Sequence, residues 1–568
     1  MGGKLYKKYI IDLRNEFAGY NVQRLSKDLM AGLTVAAVAL PLALAFGVGS
    51  GVTAASGLIT AIIAGLVIGA LSGASYQISG PTGAMIAILI TLIGKYGLNG
   101  IFIAGFMAGV ILIIAGIFKL GRIIYFIPGS VITGFTSGIA VIIALGQLDN
   151  LFGVTSVGDL AITKVASYFY NPFNPDITTL AIGLAVILIM IVWPKKLNAI
   201  VPSSLASLVI VLVANRFLQL DVAVVGKIPK TIFLADRLDL SAVSLDQLKV
   251  LIVPALSIAA LAMIESLLCG ASAGKLKNEK IDVDRELFAQ GIGNLIIPFF
   301  GGIPATAAIA RSSVAIKSGC DTRLTGIVHA VFLLLSMFLL APIMSAIPLS
   351  ALAGVLIVTA WRMNDWVNIN FIFEHKFKSG IAKFAITLIA TMVLDLTQAI
   401  IIGVLFSAVL IVIRIMDIDI TISEVENSRL EEIGINIPVV PEHIRVVYLT
   451  GSIFFAVVEK LNNQLSRLEN TSVLIISMRG VPIIDLSGLQ GLTELINILK
   501  DNDIIVMLTS IQPKVMKGLK QGGLIDLVGE DKVFASAEHA IVKASEEHIK
   551  KIEEIHNVEI SNRSLKND

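Results

Sequence analysis

A long stretch without charge constrains this chain more than any other feature, because no Asp, Glu, Lys or Arg lies between Asp28 and Lys95. Such a stretch can hold more than two membrane-crossing helices of about 20 residues each. The chain is 55% hydrophobic and 15% charged, with a mean hydropathy of +0.85, outside the usage of soluble globular proteins. We therefore predict a polytopic α-helical membrane protein.

The hydrophobic segments fall into two sets of seven. They run at about residues 29–49, 54–71, 82–94, 99–118, 125–145, 178–193 and 198–214, then 250–272, 287–300, 305–316, 324–341, 346–361, 382–395 and 397–414. Basic residues concentrate before the first segment and in the loops that share its side. The pattern predicts fourteen membrane segments in a transport domain at 28–414. The N-terminal segment 1–27 and the C-terminus would then face the cytoplasm.

The third segment of each set is short and follows a stretch broken by glycine and proline: Ser79–Ala84 in the first half and Gly301–Arg311 in the second. Non-helical backbone at membrane depth is tolerated only where it is buried in protein or lines a cavity, and a helix start offers unpaired N–H groups to an anion. The alternative is a pair of glycine-rich packing faces. Since seven is odd, the halves would be inverted repeats, as in alternating-access carriers.

The composition changes after Arg414. Residues 415–440 are acidic and irregular, which predicts a linker, and 441–548 indicate a soluble α/β domain. Its predicted strands are Arg445–Phe455, Val473–Ser477 and Ile504–Leu508, and its predicted helices are Val457–Leu468 and Leu489–Leu499. This alternation predicts a mixed sheet covered by helices, and the charged tail 549–568 is predicted to be disordered.

Several classes of function are excluded by what the sequence lacks. A net charge of +2 without a basic block gives no indication of a nucleic-acid partner. Two cysteines, Cys269 and Cys320, provide neither a disulfide framework nor a metal cluster. The chain carries no nucleophile–base pair, P-loop or metal motif, so we expect neither an enzyme nor a cofactor, apart from Na⁺ as an alternative coupling ion.

Five stretches resemble the sulfate permease (SulP) family in their order along nearly the whole chain. They are Leu40–Phe46 (LPLALAF), Gln77–Gly83 (QISGPTG), Ile264–Leu268 (IESLL), Gly301–Arg311 (GGIPATAAIAR) and Ile484–Leu489 (IDLSGL). The last resembles the STAS domain, the module that the family shares with anti-sigma factor antagonists. The resemblance implies two inverted seven-segment repeats, with spans 1–4 and 8–11 forming a core domain and spans 5–7 and 12–14 a gate domain. A cytoplasmic STAS domain would follow them.

The same resemblance implies the function. Family members carry sulfate, bicarbonate, chloride, oxalate or dicarboxylates, by proton or sodium symport or by exchange. We expect a secondary active anion transporter of the cytoplasmic membrane, a homodimer, with sulfate and proton symport as the default. Bicarbonate or dicarboxylate transport, sodium coupling, a passive anion channel and a membrane-anchored signalling protein remain the alternatives.

Arg311 is the first candidate site residue, five residues beyond Thr306, or about 7.5 Å along a helix that starts there. A guanidinium at membrane depth costs roughly 2.5–3.5 kcal/mol, which indicates a function such as attracting an anion. The alternative is an arginine that extends to the headgroups. The resemblance places Arg311 beside the anion pocket.

Four further positions are expected at the pocket. Thr82 and Thr306 would offer a hydroxyl and a backbone N–H at facing helix starts, the alternative being helix caps. Gly83 and Ala305 are small enough for an anion to approach backbone N–H groups.

Phe46 lies where the resemblance places an aromatic in the pocket wall. Contact with lipid or with the protein core is the alternative for a single Phe in a membrane helix.

Glu265 is the only charged residue between Lys249 and Lys275. A carboxyl at that depth indicates a proton carrier or part of a cation site, the alternative being a permanent pair with Arg311. Thr306 and helix-start carbonyls could complete a sodium site. Ser487 occupies the position that is phosphorylated in anti-sigma factor antagonists, which suggests a cytoplasmic regulator, unless it only caps a helix.

Four other polar residues lie in apolar segments. Gln77, Gln290 and Asn294 are expected to join helices by hydrogen bonds, and His329 is expected to be a packing residue.

Overall fold

The computed structural model describes residues 2–546, except for 123–126, 159–160, 171–172, 199–200, 395, 417, 426–429, 431, 433, 435–442, 455, 466–467 and 469. The chain divides into a helical unit, Met1–Ser407, and a second unit, Ala408–Asp568. The predicted tail 549–568 and much of the predicted linker 415–440 lie outside the described residues.

The first unit is helical almost throughout. Its helices are α1 (Gly2–Glu16), α2 (Val22–Gly49), α3 (Ala54–Leu71), α4 (Gly83–Ile117), α5 (Gly129–Gly146), α6 (Leu148–Phe152), α7 (Ala161–Ser167), α8 (Ile177–Val192), α9 (Lys195–Asn198), α10 (Ser203–Leu218), α11 (Leu245–Lys277), α12 (Val283–Ile296), α13 (Ile309–Lys317), α14 (Leu324–Leu339), α15 (Ala341–Ser345), α16 (Leu349–Met363), α17 (Trp366–Glu374), α18 (Lys378–Val393) and α19 (Leu396–Ile415). Two short strands, β1 (Ser79–Gly80) and β2 (Thr306–Ala307), interrupt them.

The apolar segments of the sequence coincide with these helices. Within the described residues, six helices are long and apolar enough to cross a membrane, and four shorter apolar helices accompany them. The third and fourth predicted segments share α4, which Gly97 divides with a non-helical backbone at φ 66° and ψ −170°. A polytopic helical membrane fold is therefore confirmed, whereas the count of fourteen spans stays a prediction.

Polar side chains determine where several of these helices begin. Asn21, Thr53, Asp176 and Asp282 each accept a hydrogen bond from a backbone N–H in the first turn of the helix that follows. Ser244 forms a capping box with a glutamine at the start of α11. Each side chain satisfies an N–H that the helix itself leaves unpaired.

The helices pack into two bundles. The first bundle contains α2, α3, α4, α11, α12, α13 and α14, and the second contains α5, α8, α10, α16 and α18. In the first bundle α4 and α12 approach closely at two glycines, since a Cβ built on Gly109 would lie 2.5 Å from Leu295 N and one built on Gly291 would lie 2.6 Å from Ile113 N. Small residues allow such contact between membrane helices. Apart from α19, the bundles contain the helices that the resemblance assigns to core and gate.

The N-terminal segment forms a helix that is tied to the first bundle by ion pairs. In α1, Glu16 pairs with the buried Arg323 before α14 at 2.7 Å, and Asp12 pairs with Arg285 in α12 at 2.7 Å. Lys8 also pairs with an aspartate at the start of α12. Charges buried in this way require partners, so α1 compensates basic residues of the bundle. The sequence analysis had predicted only that this segment is cytoplasmic.

Asp28, at the start of the uncharged stretch, joins α2 to the loop before α14. It is fully buried, and its carboxylate accepts five hydrogen bonds. The donors are Tyr20 Oη, Asp321 N, Thr322 N, Thr322 Oγ1 and Thr325 Oγ1, at 2.6–3.0 Å. Five donors around one carboxylate indicate that it is ionised and structural.

We expect Asp28→Asn to destabilise the protein, since the amide removes the charge and turns one acceptor into a donor. Hydrogen bonds to a charged group contribute about 1.5–3 kcal/mol each, so a loss of at least about 2 kcal/mol is expected. The measurement is thermal unfolding in detergent, with the exposed Asp246→Asn as the control. Equal melting temperatures of the two variants would contradict this account of Asp28.

The second unit is built on a five-stranded mixed sheet in the order β3-β4-β5-β6-β7. The strands are β3 (Asp419–Glu424), β4 (Ile444–Thr450), β5 (Val473–Gly480), β6 (Ile505–Thr509) and β7 (Val533–Phe534). Its helices are α20 (Val458–Leu465), α21 (Leu486–Asp501), α22 (Pro513–Gln521), α23 (Leu524–Val528) and α24 (537–546). Separate hydrophobic clusters cover the two faces, one including α24 and the other α20–α23.

The sequence analysis was right about the mixed sheet and wrong about part of the linker. Strand β3 lies within the predicted linker 415–440 and pairs antiparallel with β4, while the remaining strands pair in parallel. An edge strand that pairs on one side can be polar, which explains why Asp419–Glu424 reads as irregular. Helices α22 and α23 were not predicted.

Candidate functional site

The two broken stretches meet in the first bundle. Strands β1 and β2 pair antiparallel, with Ser79 opposite Ala307 and Gly80 opposite Thr306. The N–H of Ala308 also donates to the carbonyl of Ile78 at 3.0 Å. Each stretch satisfies backbone groups of the other, which is what non-helical backbone at membrane depth requires. We call this meeting point the crossing.

Polar side chains from α11 and α12 hold the crossing in place. Asn294 binds the backbone of Ala305 twice, accepting from its N–H at 2.7 Å and donating to its carbonyl at 2.9 Å. Gln290 donates to Ser79 Oγ at 2.8 Å. Ser266 Oγ accepts from the N–H of Ala307 at 3.2 Å and lies 2.9 Å from Thr306 Oγ1. The structure thus gives Asn294 and Gln290 the joining role that the sequence analysis expected.

Gln77 has the same kind of contact, because its Nε2 donates to the carbonyl of Ser266 at 2.6 Å. Ser266 was not singled out from the sequence, although its place beside Glu265 in an apolar helix is a signal that could have identified it. His329 is fully buried in α14.

Thr82 and Glu265 are in direct contact. Thr82 Oγ1 donates to Glu265 Oε2 at 2.9 Å, although the two residues lie 183 positions apart in the sequence. Thr82 immediately precedes α4, but its side chain caps no N–H of that helix. The alternative of a purely capping threonine is therefore wrong.

Arg311 lies beneath the crossing and is 1% exposed. Its Nη2 donates to the carbonyl of Pro81 at 2.9 Å, and its Nη1 has no hydrogen-bond partner among the described residues. The side chain points toward the other broken stretch, which disagrees with the alternative that it extends to the headgroups. Within the described part of the chain, Arg311 and Glu265 form no ion pair. The structure therefore disagrees with the alternative that these two residues are permanently paired.

One expectation for the second broken stretch is wrong, namely that a helix starts at Thr306. Helix α13 begins at Ile309, so Thr306 lies in β2, and Arg311 is the third residue of the helix. The N–H of Ala305 is already bound by Asn294 and is not available to an anion. The physical reason is that the backbone after Pro304 pairs with β1 before it turns into a helix.

The starts of α4 and α13 still provide donors, because no side chain caps either helix. The first N–H groups of a helix and its positive dipole end favour an anion. A Cβ built on Gly83, the first residue of α4, would lie 3.5 Å from Phe46 Cε1 and 2.7 Å from Ile143 Cδ1 of the second bundle. Phe46 and Gly83 are thus neighbours, and their place in an anion pocket stays a prediction.

A cavity of about 450 Å³ leads away from these helix starts, between the two bundles. Met363 lines it, with its Sδ 3.6 Å from a Cβ built on Gly83, and Ala310 at the start of α13 also borders it. Lys317 and Arg362, which the loop-charge pattern assigns to the cytoplasmic side, line it as well. The cavity therefore extends from residues next to Gly83 and Arg311 to these two cations.

Gly80→Ala tests the position of Arg311. A Cβ on Gly80 would lie 2.5 Å from Arg311 Nη1 and 3.3 Å from Ala61 Cα, so the flexible guanidinium must move while the backbone shifts little. We expect the variant to fold and the half-saturating anion concentration to rise about tenfold, or about 1.4 kcal/mol. The matched control is Gly94→Ala, where a Cβ meets nothing within 4 Å. Equal uptake kinetics of the two variants would contradict the role of this contact.

Ser487 lies in the second unit as the second residue of α21, and it is exposed. The helix is capped by Asp485, which accepts from the N–H of Gly488 at 2.6 Å. The alternative that Ser487 is the cap is therefore wrong, and its hydroxyl is accessible.

Comparisons with known proteins agree with this architecture. The family model "Sulfate permease family" matches residues 25–387, and the model "STAS domain" matches residues 435–540. A putative sulfate transporter of Bacillus subtilis, YvdB, is 33% identical over 535 residues, which cover 91% of this chain and 97% of the relative. The bicarbonate transporter BicA of Picosynechococcus is 29% identical, covering 91% and 94% of the two chains.

Two solved structures share the fold. The transmembrane domain of a cyanobacterial BicA superposes with a TM-score of 0.61 at 28% identity, covering 68% of this chain and 98% of that chain. The murine anion transporter Slc26a9 in an inward-facing state gives a TM-score of 0.79 at 17% identity, covering 93% and 92%.

Proposed function

The chain belongs to the sulfate permease family of anion transporters, which are not enzymes, and we propose that it moves sulfate by proton symport through alternating access. The observation that carries the proposal is Arg311 Nη1, a buried donor without a partner in the described structure, located between two helix starts without side-chain caps. A buried guanidinium with an unused N–H is unfavourable unless a ligand binds it. An oxyanion supplies the missing acceptor.

Thr82, Gly83 and Phe46 form the rest of the proposed anion site. The N–H groups at the start of α4 would donate to the anion, and Gly83, which has no side chain, would let the anion approach them. The ring of Phe46 would form one wall of the site. Thr306 contributes through its contact with Ser266, which holds the crossing. Ala305 positions the backbone and donates nothing to the anion.

Glu265 is proposed to carry the coupling proton. Its contact with Thr82 joins the carboxyl to the residue immediately before α4, so protonation would change the charge beside the anion. A proton also offsets part of the roughly 2.3 kcal/mol per charge per 100 mV that opposes entry of an anion into a negative interior. Sodium is the competing coupling ion, because Glu265 and the hydroxyls of Thr82 and Thr306 are oxygen ligands.

Bicarbonate and dicarboxylates are the competing substrates. The similarity to the BicA bicarbonate transporters supports bicarbonate as an alternative. The protein is a multi-pass membrane transporter. Its location in the cytoplasmic membrane, with both termini in the cytoplasm, and its assembly as a homodimer are parts of the proposal. The STAS domain is proposed to be regulatory, with the exposed Ser487 as the point at which a cytoplasmic regulator acts.

The test is uptake by purified protein in liposomes. Labelled sulfate, bicarbonate, oxalate and a dicarboxylate are offered in turn, with pH and sodium gradients imposed separately. Saturable sulfate uptake driven by an inward proton gradient supports the proposal. Preference for another anion would replace the substrate, and no saturable uptake of any anion would refute the transport function.

Removal of the STAS domain should leave anion selectivity unchanged. All proposed site residues lie within the unit Met1–Ser407, so a chain that ends after α19 retains them. We expect the same order of preference among the anions, with only the rate altered. The control is the same truncation with Arg311→Ala, which should be inactive. A folded truncated protein that prefers a different anion would contradict the regulatory role.

A further inference from the structure

We propose that Arg362 and Lys317 form a second anion site at the mouth of the cavity, where the anion binds on its way between the crossing and the cytoplasm. This inference rests on the proposed transport function and extends it to the path. It differs from the site at the crossing because Arg362 belongs to the second bundle, at the end of α16, and Arg311 belongs to the first.

The charge of the cavity supports this assignment. Its described lining contains two cations, Arg362 and Lys317, and no carboxylate. A cleft lined by one sign of charge between apolar walls focuses the field and raises the local concentration of the opposite ion. The hydroxyls of Ser203 and Ser204 belong to the same lining.

The side chain of Arg362 is held in a defined position but remains accessible. Its Nη1 donates to Ser203 Oγ at 3.1 Å, and its Nη2 donates to the carbonyl of Met190 at 2.7 Å. These bonds fix the guanidinium between α8 and α10, while the residue as a whole is exposed. A guanidinium has five N–H donors, so three are left for an anion. A merely structural Arg362 would tie these helices together, and the experiment must separate the two roles.

The position of the cavity suggests that the anion passes from Arg311 on the first bundle to Arg362 on the second. Ala310 at the start of α13 borders the same cavity, one residue before Arg311. An anion leaving the crossing would enter this cavity and meet Arg362 on the opposite bundle. The second site would therefore govern affinity at the cytoplasmic face and leave affinity at the external face almost unchanged.

The experiment measures the half-saturating concentration of labelled sulfate from each face, using right-side-out and inside-out membrane vesicles of cells that express the full chain. We expect Arg362→Gln to raise the value about fivefold at the cytoplasmic face and less than twofold at the external face. Arg362→Lys should stay within about twofold of the wild type, since it retains the charge. The cytoplasmic-face difference between wild type and Arg362→Gln should shrink at high ionic strength, because screening weakens only the charge.

Two matched variants complete the design. Arg216→Gln removes an exposed cation at the end of α10 that does not line this cavity, and it should resemble the wild type. Lys95→Gln changes a cation of α4 that lines a separate cavity of about 370 Å³, about three turns after the helix begins at Gly83. This variant should change the half-saturating concentration at the external face instead.

Three results would overturn the inference. One is an unchanged Arg362→Gln variant. Another is an equal loss at both faces. The third is an equal loss of affinity in Arg362→Gln and Arg362→Lys together with lowered melting temperatures, which would show that Arg362 only stabilises the packing of α8 and α10. The purified chain in liposomes of phosphatidylcholine alone must show the same rise for Arg362→Gln. If the rise is absent there, Arg362 binds anionic lipid headgroups in the cell membrane and not the transported anion. A wild type that transports no anion would refute the proposed function itself.

Discussion

Replacing Arg311 by Ala is expected to abolish saturable anion uptake while the protein still inserts and folds. The guanidinium is buried beneath the crossing, with Nη2 bound to the carbonyl of Pro81 and Nη1 directed at Gly80 without a partner among the described residues. Loss of a charge-assisted hydrogen bond of up to about 3 kcal/mol corresponds to roughly a hundredfold loss in affinity. The alanine also removes the positive charge that offsets an anion at this depth.

The measurement is the concentration dependence of labelled sulfate uptake into liposomes, with size-exclusion profiles to show that the variant is folded. Arg311→Lys should recover only part of the activity, because a point charge replaces a planar fork of donors. The control is Arg216→Ala, which removes an exposed arginine at the end of α10. Normal affinity in Arg311→Ala would contradict the assignment of the anion site.

Replacing Glu265 by Gln should remove the acceleration of uptake by an inward proton gradient and should leave anion binding or exchange in place. Glutamine imitates the protonated carboxyl in shape and charge, and its amide oxygen can still accept the hydrogen bond from Thr82 Oγ1. The variant therefore resembles one of the two states through which a proton carrier must pass. At least a tenfold loss of proton-driven uptake is expected, which is about 1.4 kcal/mol of coupling.

The measurement imposes pH and sodium gradients separately on liposomes that contain wild type or Glu265→Gln, with Asp246→Asn as the exposed control. Exchange of labelled for unlabelled anion is followed in the same preparations. Wild-type uptake that is driven by sodium and indifferent to pH would reject proton coupling. It would assign Glu265 to a cation site instead.

The membrane fold could be predicted because its causes are local in the sequence. The uncharged stretch after Asp28 and the repeated apolar segments follow from the cost of placing charge in a bilayer. The two broken stretches could also be identified individually, since Pro81 and Pro304 prevent a continuous helix. The position of Glu265 and Arg311 in apolar segments identified both as candidate site residues.

The details of the crossing could not be predicted, because they depend on contacts across the whole chain. The pairing of Ser79 with Ala307 joins residues more than two hundred positions apart, and two-residue strands have no pattern of their own. The double contact of Asn294 with Ala305 spans only 11 positions, but it depends on how the backbone turns between them and has no sequence pattern of its own.

Other errors have similar origins. The ion pairs of α1 were not predicted, since the basic partners of its acidic residues lie far away in the sequence, in α12 and before α14. Strand β3 was missed although Ile420 and Ile422 alternate with polar residues, because a single half-buried edge strand is hard to distinguish from a linker.

Counterflow tests the central claim of secondary active transport most directly. Liposomes containing the wild type are loaded with unlabelled sulfate and diluted into a trace of labelled sulfate, with the membrane potential held at zero by valinomycin and equal potassium on both sides. Because a carrier must return its site across the membrane, internal sulfate should accelerate labelled uptake and drive transient accumulation above the equilibrium level. Uptake that is indifferent to internal sulfate, or slowed by it, would contradict alternating access and indicate a passive anion channel.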